Sequence, residues 1–288
     1  MSLGATDEDV LAARSRDARQ GRRVRAVMLV AAVLYVGILL LAPLGGIAWS
    51  ALKGGFGTVA HTLSQSDVVH AFLLTAVITL VTVVVTSMFG VAVALVLIRD
   101  RFPGKRLLSA LVDLPLAVSP IIVGLMAVLL FGTGGWFEPW FTAHGIQIVG
   151  ALPSMILVTV FVAIPFVIRE VAPVLEELGM EEEQAAWTLG ASRLQTFFRV
   201  TLPNIRWGLL YGIALSTARA LGEVGAVLIV SGLIQGQTET ATLYIYRAFE
   251  QGQYSQGYVV ALVLALISIG TLVAIEISKN RRLKEATE

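Results

Sequence analysis

The sequence predicts an all-α integral membrane protein of six transmembrane helices, on two observations. Of its 288 residues 56% are hydrophobic and only 14% charged, too few charges to cover a water-facing globule of that size. A bilayer core calls for about 20 apolar residues per helix, and six stretches meet that length: 26–49, 71–98, 107–131, 148–168, 207–233 and 258–277. No room remains for a separate soluble domain. The chain divides into a tail over 1–25, a six-helix membrane domain over 26–277 and a second tail over 278–288.

The first run follows a basic segment, Arg14 to Arg25, as a signal peptide would. It is too long for a cleaved apolar region and lacks a small-residue cleavage site, so it is expected to stay as the first span. Orientation follows from the basic residues. The N-terminal tail holds 6, the segment 99–106 holds 4, 169–206 holds 4 and the tail after Ile277 holds 4, so 18 of 21 fall on one side. The opposite loops hold only Lys53 and Arg247, with Arg219 inside a span. The positive-inside rule then places both termini in the cytoplasm of a multi-pass cell-membrane protein.

The third run carries Pro115 and Pro120. Each removes an intrahelical bond and exposes carbonyls near Ser119, which a membrane tolerates where protein or water satisfies them. Ser119 and Pro120 are therefore candidates to line a path. After this run, Trp136, Phe137, Trp140 and Phe141 suit an interfacial aromatic belt or a short re-entrant turn. The fifth run contains Arg219 and Glu223, four residues apart and so expected on one helical face, with Gly212 and Ser216 continuing the stripe. Charges at that depth are costly and are functional candidates by default; the alternative is an ion pair that only locks two helices. Small residues pair as Ala218 with Gly222 and Gly222 with Ala226, a spacing that permits close helix contact. The segment 234–256, rich in Gly, Gln, Thr and Tyr, suits either an extracytoplasmic partner or a solvated connector.

Between the fourth and fifth runs lies a cytoplasmic segment, 171–206, too long and too well punctuated for a plain connector. Glu176, Glu177 and Glu181 to Glu183 favour helix N-termini. Ala185 and Ala186 then present a small face, and Gly190 supplies a helix stop. Beyond it Leu194, Phe197, Phe198 and Leu202 recur at helical spacing, an amphipathic second helix, and Pro203 suits the first turn of a new element. Such a short helix is a plausible knob for a groove in another protein; the alternative is a hairpin that merely covers the ends of the spans.

Other chemistry is excluded or unsupported. There is no cysteine, hence no disulfide, thiolate metal site or cysteine nucleophile. His61, His70 and His144 show no ligand spacing, so no metal is assigned. No GxxxxGK[ST] loop is present; Gly104-Lys105-Arg106 lacks the upstream glycine and the hydroxyl residue. The chain is not read as an enzyme and no nucleic-acid partner is expected.

Gln184-Ala185-Ala186, three residues, Gly190, nine residues, then Val200-Thr201-Leu202-Pro203 resembles the EAA loop of ABC importer permeases, although Gln184 stands where the family has Glu. Ser119 to Leu125, Gly135-Trp136-Phe137, Ala218 to Ala226 and Ser231-Gly232 resemble the W-type (CysW-like) permease subunit of sulfate/thiosulfate importers. Val224 departs from the Phe or Tyr common there. Molybdate permeases share the Arg-Ala-Leu-Gly-Glu-x-Gly-Ala core, and the Val230-Ser231-Gly232 continuation favours sulfate. The resemblance implies a type I ABC importer permease fold. It further implies a heterodimer with a T-type permease, two copies of a cytoplasmic ATPase that uses ATP and magnesium, and an extracytoplasmic sulfate-binding protein. Gln184, Ala185, Ala186, Gly190, Leu202 and Pro203 would form the ATPase-coupling loop, with no cofactor held in this chain. A secondary transporter or channel subunit would need coupling-ion carboxylates or a repeated broken-helix architecture; Glu223 is the one acidic residue deep in a span, and no second half repeats the first.

Overall fold

The computed structural model describes residues 7–285, and among those residues every regular element is a helix. In chain order these are α1 Asp7–Leu52, α2 Gly55–Leu63, α3 Ser66–Arg99, α4 Lys105–Ala117, α5 Pro120–Phe131, α6 Glu138–Ala143, α7 Leu152–Leu178, α8 Glu181–Thr188, α9 Arg193–Thr196, a π-turn Phe197–Thr201, α10 Leu202–Leu221, α11 Gly225–Val230, α12 Ala241–Glu250 and α13 Tyr254–Glu285. Four helical stretches are long and apolar enough to cross a membrane: Val27–Leu52, Ser66–Arg99, Leu152–Leu178 and Tyr254–Ala274. The chain is thus a multi-pass membrane protein.

The other two predicted runs are broken. Over 107–131 the helix stops at Ala117 and restarts at Pro120, turned by 112°, so that α4 and α5 together make one bent span at most. Pro120 sits at the start of α5 with Ser119 as its N-cap residue. It opens a helix instead of interrupting one, because a missing N–H costs nothing in the first turn. Over 207–233 the helix ends at Leu221 and α11 begins at Gly225. The small-residue pairs through Gly222 therefore straddle a break, and Gly222 is exposed.

Close helix packing occurs elsewhere on the same run. The central helix is α7, whose Val158, Val162, Val167, Val171 and Leu175 are buried at helical spacing. α10 lies on it through Gly208 and Gly212: a Cβ at 208 would stand 2.7 Å from the Glu170 carbonyl, and at 212 it would stand 2.8 Å from Val167 Cα. Only glycine allows that approach. α3 packs on both α7 and α10, and its Thr86 hydroxyl meets that of Ser216 on α10 at 3.0 Å.

Two further expectations are corrected. Glu176 and Glu177 lie in the last turn of α7, not at a helix start. The segment 234–256 is no loose connector: α12 runs through it with Ala241, Tyr244 and Ala248 buried against α3 and α13 and Leu243 buried in the cluster of α5, α7 and α11. Several of its polar residues are buried and bonded internally. Thr240 caps α12, Ala241 N donates to Thr75 Oγ1 at 2.9 Å, and the buried Glu239 carboxylate holds Arg247 at 2.5 and 3.0 Å. That bonding raises the Arg247 pKa further above its ordinary value. Burial pushes the Tyr244 hydroxyl pKa up as well.

Candidate functional site

Two places gather the residues singled out by sequence. The first is the break in the fifth run. Arg219, in the last turn of α10, contacts Glu223 at 2.7 Å. The carboxylate is buried, at 2% exposure, while the arginine keeps 27%. Glu223 lies past the helix end, so the two charges do not share a helical face as expected. Its Oε1 accepts from the Ala226 N–H at 2.8 Å and thereby caps α11, and its carbonyl accepts from Thr242 Oγ1 at 2.8 Å. One residue thus balances a charge, starts a helix and ties α12 to the break.

The other break faces this one. A Cβ at Gly225 would stand 3.0 Å from Pro120 Cβ and 3.4 Å from the Ile121 nitrogen, and one at Gly124 would stand 2.8 Å from the Ala226 carbonyl. α5 and α11 therefore run in contact from their first turns. Ser119 is exposed and its hydroxyl makes no cap bond. Ser119, Pro120, Arg219 and Glu223, far apart in sequence, are brought to one seam. Ser216 is not: it is fully buried against Thr86 in the α3–α10 interface. Neither chain break was visible in hydropathy alone, because both sides of each remain apolar.

The second place is the turn after α8. α8 ends at Thr188, and Gly190 follows with φ +86°, the left-handed conformation that ends helices and favours glycine. Gln184 and Ala185 are exposed, and Ala186 half-buried. Leu189, Leu194 and Phe198 are strongly exposed for apolar residues, at 88%, 72% and 62%. Ser192 and Gln195 form a reciprocal capping box that starts α9, a signal readable as Ser-x-x-Gln. The helical path then continues through the π-turn into α10 without a break, since Thr196, Thr201 and Leu202 all keep right-handed helical angles. Pro203 sits in the first turn of α10, as its position in the sequence suggests, although the helical path runs into it unbroken. The π-turn, closed by Leu202 N to the Phe197 carbonyl, shifts the bonding register just before a residue that cannot donate. Leu202 is half-buried and Pro203 exposed.

Sequence reasoning put Glu183 at a helix start, where it lies, but missed its partners. It points inward, buried, and meets Arg99 from the end of α3 at 3.2 Å and the Thr201 hydroxyl at 2.9 Å. No local signal reveals a pairing across 84 residues.

Broken spans around an ion pair, on a bundle with a folded turn between α7 and α10, define a membrane transport subunit more readily than a receptor or anchor. Residues 87–277 match the family model described as the binding-protein-dependent transport system inner membrane component. The chain belongs to that family. It is 44% identical over 259 residues, 90% of this chain and 94% of the other, to a sulfate transport system permease protein CysW of Synechocystis. To the CysW of Escherichia coli K12 it is 44% identical over 241 residues, 83% and 82% of the two chains. To the sulfate transport system permease protein CysT of the same strain it is 35% identical over 249 residues, 86% and 90%. Its fold is similar to that of a chain in a bacterial ABC transporter involved in the import of the acidic polysaccharide alginate, with a TM-score of 0.71 at 18% identity, covering 93% of this chain and 99% of that one.

Proposed function

We propose that this chain is the W-type permease subunit of an ABC importer for sulfate and thiosulfate, supplying half of the translocation path. The carrying observation is the similarity to CysW proteins over nearly the whole of both chains, joined to a seam where Arg219 and two helix breaks converge. Six spans, with the third and fifth broken, place both termini and the α8 turn on the cytoplasmic side, as the distribution of 18 of 21 basic residues supports. The partners are a T-type permease, two copies of an ATPase that uses ATP and magnesium, and an extracytoplasmic sulfate-binding protein. The α8–Gly190 turn is the EAA-type loop: the exposed Gln184 and Ala185 with Leu189 and Leu194 are the face offered to the ATPase. One half-open arginine is a poor trap for a dianion, which suits a path that passes on what another protein has captured.

Deletion of the gene is expected to abolish uptake of labelled sulfate, and the restored gene to return it. Unchanged sulfate uptake with lost molybdate uptake would overturn the substrate in favour of the other oxyanion. Orientation is testable on this cysteine-free chain. A thiol placed at 105 or 192 is expected to resist an impermeant reagent added to intact cells, and labelling there would contradict the topology.

A further inference from the structure

α8 is only eight residues long and lies between two glycines in the positive-φ region. Gly190 has φ +86°. Gly179 has φ +62° and ψ −159°, a combination open essentially to glycine alone. The two glycines separate α8 from α7 before it and from α9 after it, so α8 is continuous with neither. α8 is tied down by an exposed bond, Asn204 Nδ2 of α10 donating to Glu182 Oε2 at 2.5 Å, and by a buried charged cluster. Glu183, in the first turn of α8, places Oε1 3.2 Å from Arg99 Nη2 and accepts from Thr201 Oγ1 at 2.9 Å. Arg99, in the last turn of α3, also donates from Nη1 to the Leu175 carbonyl near the end of α7 at 3.1 Å. The two side chains are 13% and 10% exposed. An anion at a helix start and a cation at a helix end both sit where the helix dipoles favour them. With water largely excluded, either charge alone costs far more than the pair, so the contact is close to all-or-none.

We propose that Glu183 and Arg99 are positioning residues for energy coupling: their pair fastens α8 to α3 and α7, so that a push on α8 by the ATPase reaches the spans instead of being absorbed at the glycine turns. Thr201 extends the fastening into α10, which carries Arg219 about 27 Å further along at the helical rise per residue. The exposed Gln184 beside Glu183 divides the labour: one side chain faces outward, its neighbour inward. The proposal rests on the reading of α8 as the coupling element.

The test is the ratio of labelled sulfate transported to ATP hydrolysed by the complete importer in proteoliposomes with its binding protein, normalised to assembled complex. Glu183→Gln and Arg99→Gln are each expected to lower that ratio about fivefold or more. The double variant, which leaves no unpaired buried charge and lets two amides bond, is expected to recover to within about twofold of native. Thr201→Val keeps the ion pair and removes one bond; a fall of about twofold supports the clamp even where a single charge variant does not assemble, and a native ratio there overturns it. Native ratios in both charge variants also overturn it, as does failure of the double variant to improve on the singles. Gly190→Val separates the two readings. If it uncouples while Glu183→Gln does not, the clamp alone is wrong; if neither changes the ratio, the loop is not a coupling element and the clamp falls with it.

Discussion

Two arginine–glutamate pairs hold this chain at opposite ends of α10, and they differ in what each joins. Arg219 and Glu223 are four residues apart, and their contact bridges a break in their own chain. Arg99 and Glu183 come from segments 84 residues apart, and their contact fastens one element to two others. Exposure separates them further. Both partners of the Arg99–Glu183 pair are nearly covered, at 13% and 10%, whereas Arg219 keeps 27% beside a Glu223 at 2%. A closed pair is suited to transmitting force. A half-open one leaves a cation at the seam of two broken helices, where a passing anion can meet it without being held.

Breaking these pairs in turn sharpens the contrast. Glu223→Ala is expected to have the largest effect, because it removes the charge partner, the α11 cap bond from Ala226 N and nothing replaces them. Loss of one partner of a buried pair costs about 3–5 kcal/mol, and loss of the hydrogen bond from the Ala226 N–H about 1 kcal/mol more. The thermal midpoint of the purified complex should fall clearly and uptake should vanish; a native midpoint would contradict the capping role. At the other extreme stands Arg169–Asp113, a pair at 3.0 Å with both side chains about half exposed. Asp113→Ala is expected to change stability by less than about 1 kcal/mol, measured on the same complex. A loss comparable to that of Glu223→Ala would erase the distinction between covered and open pairs.

The sequence carries some of this and not the rest, for physical reasons. Apolar length placed the helices of α3, α7 and α13, since composition alone decides what can sit in a bilayer. Gly190 was legible as a stop because a positive φ selects glycine locally. The interruption near Ser119 was legible from Pro115 and Pro120, but the break at Gly222 was not, since it meets the first through Gly124 and Gly225, a contact between segments about a hundred residues apart. The folded α12 escaped for the opposite reason. Thr240, Thr242 and Glu239 read as solvated polar residues, yet their partners are Glu223, Arg247 and the start of α12 itself. Glu183 was hidden among three adjacent glutamates, of which only it turns inward.

Glu223 also decides how Arg219 is to be tested. Exchanging the two charges would put an arginine at 223 that cannot accept from Ala226 N, so the exchange fails whether or not the anion meets residue 219. The direct measurement is labelled sulfate uptake by complexes of equal abundance carrying Arg219→Lys or Arg219→Gln. If a cation at the seam serves the passing anion, lysine should retain a third or more of native uptake while glutamine falls about tenfold or further. Equal uptake by the two would contradict a role for the positive charge in the path and leave Arg219 as a structural partner of Glu223 alone.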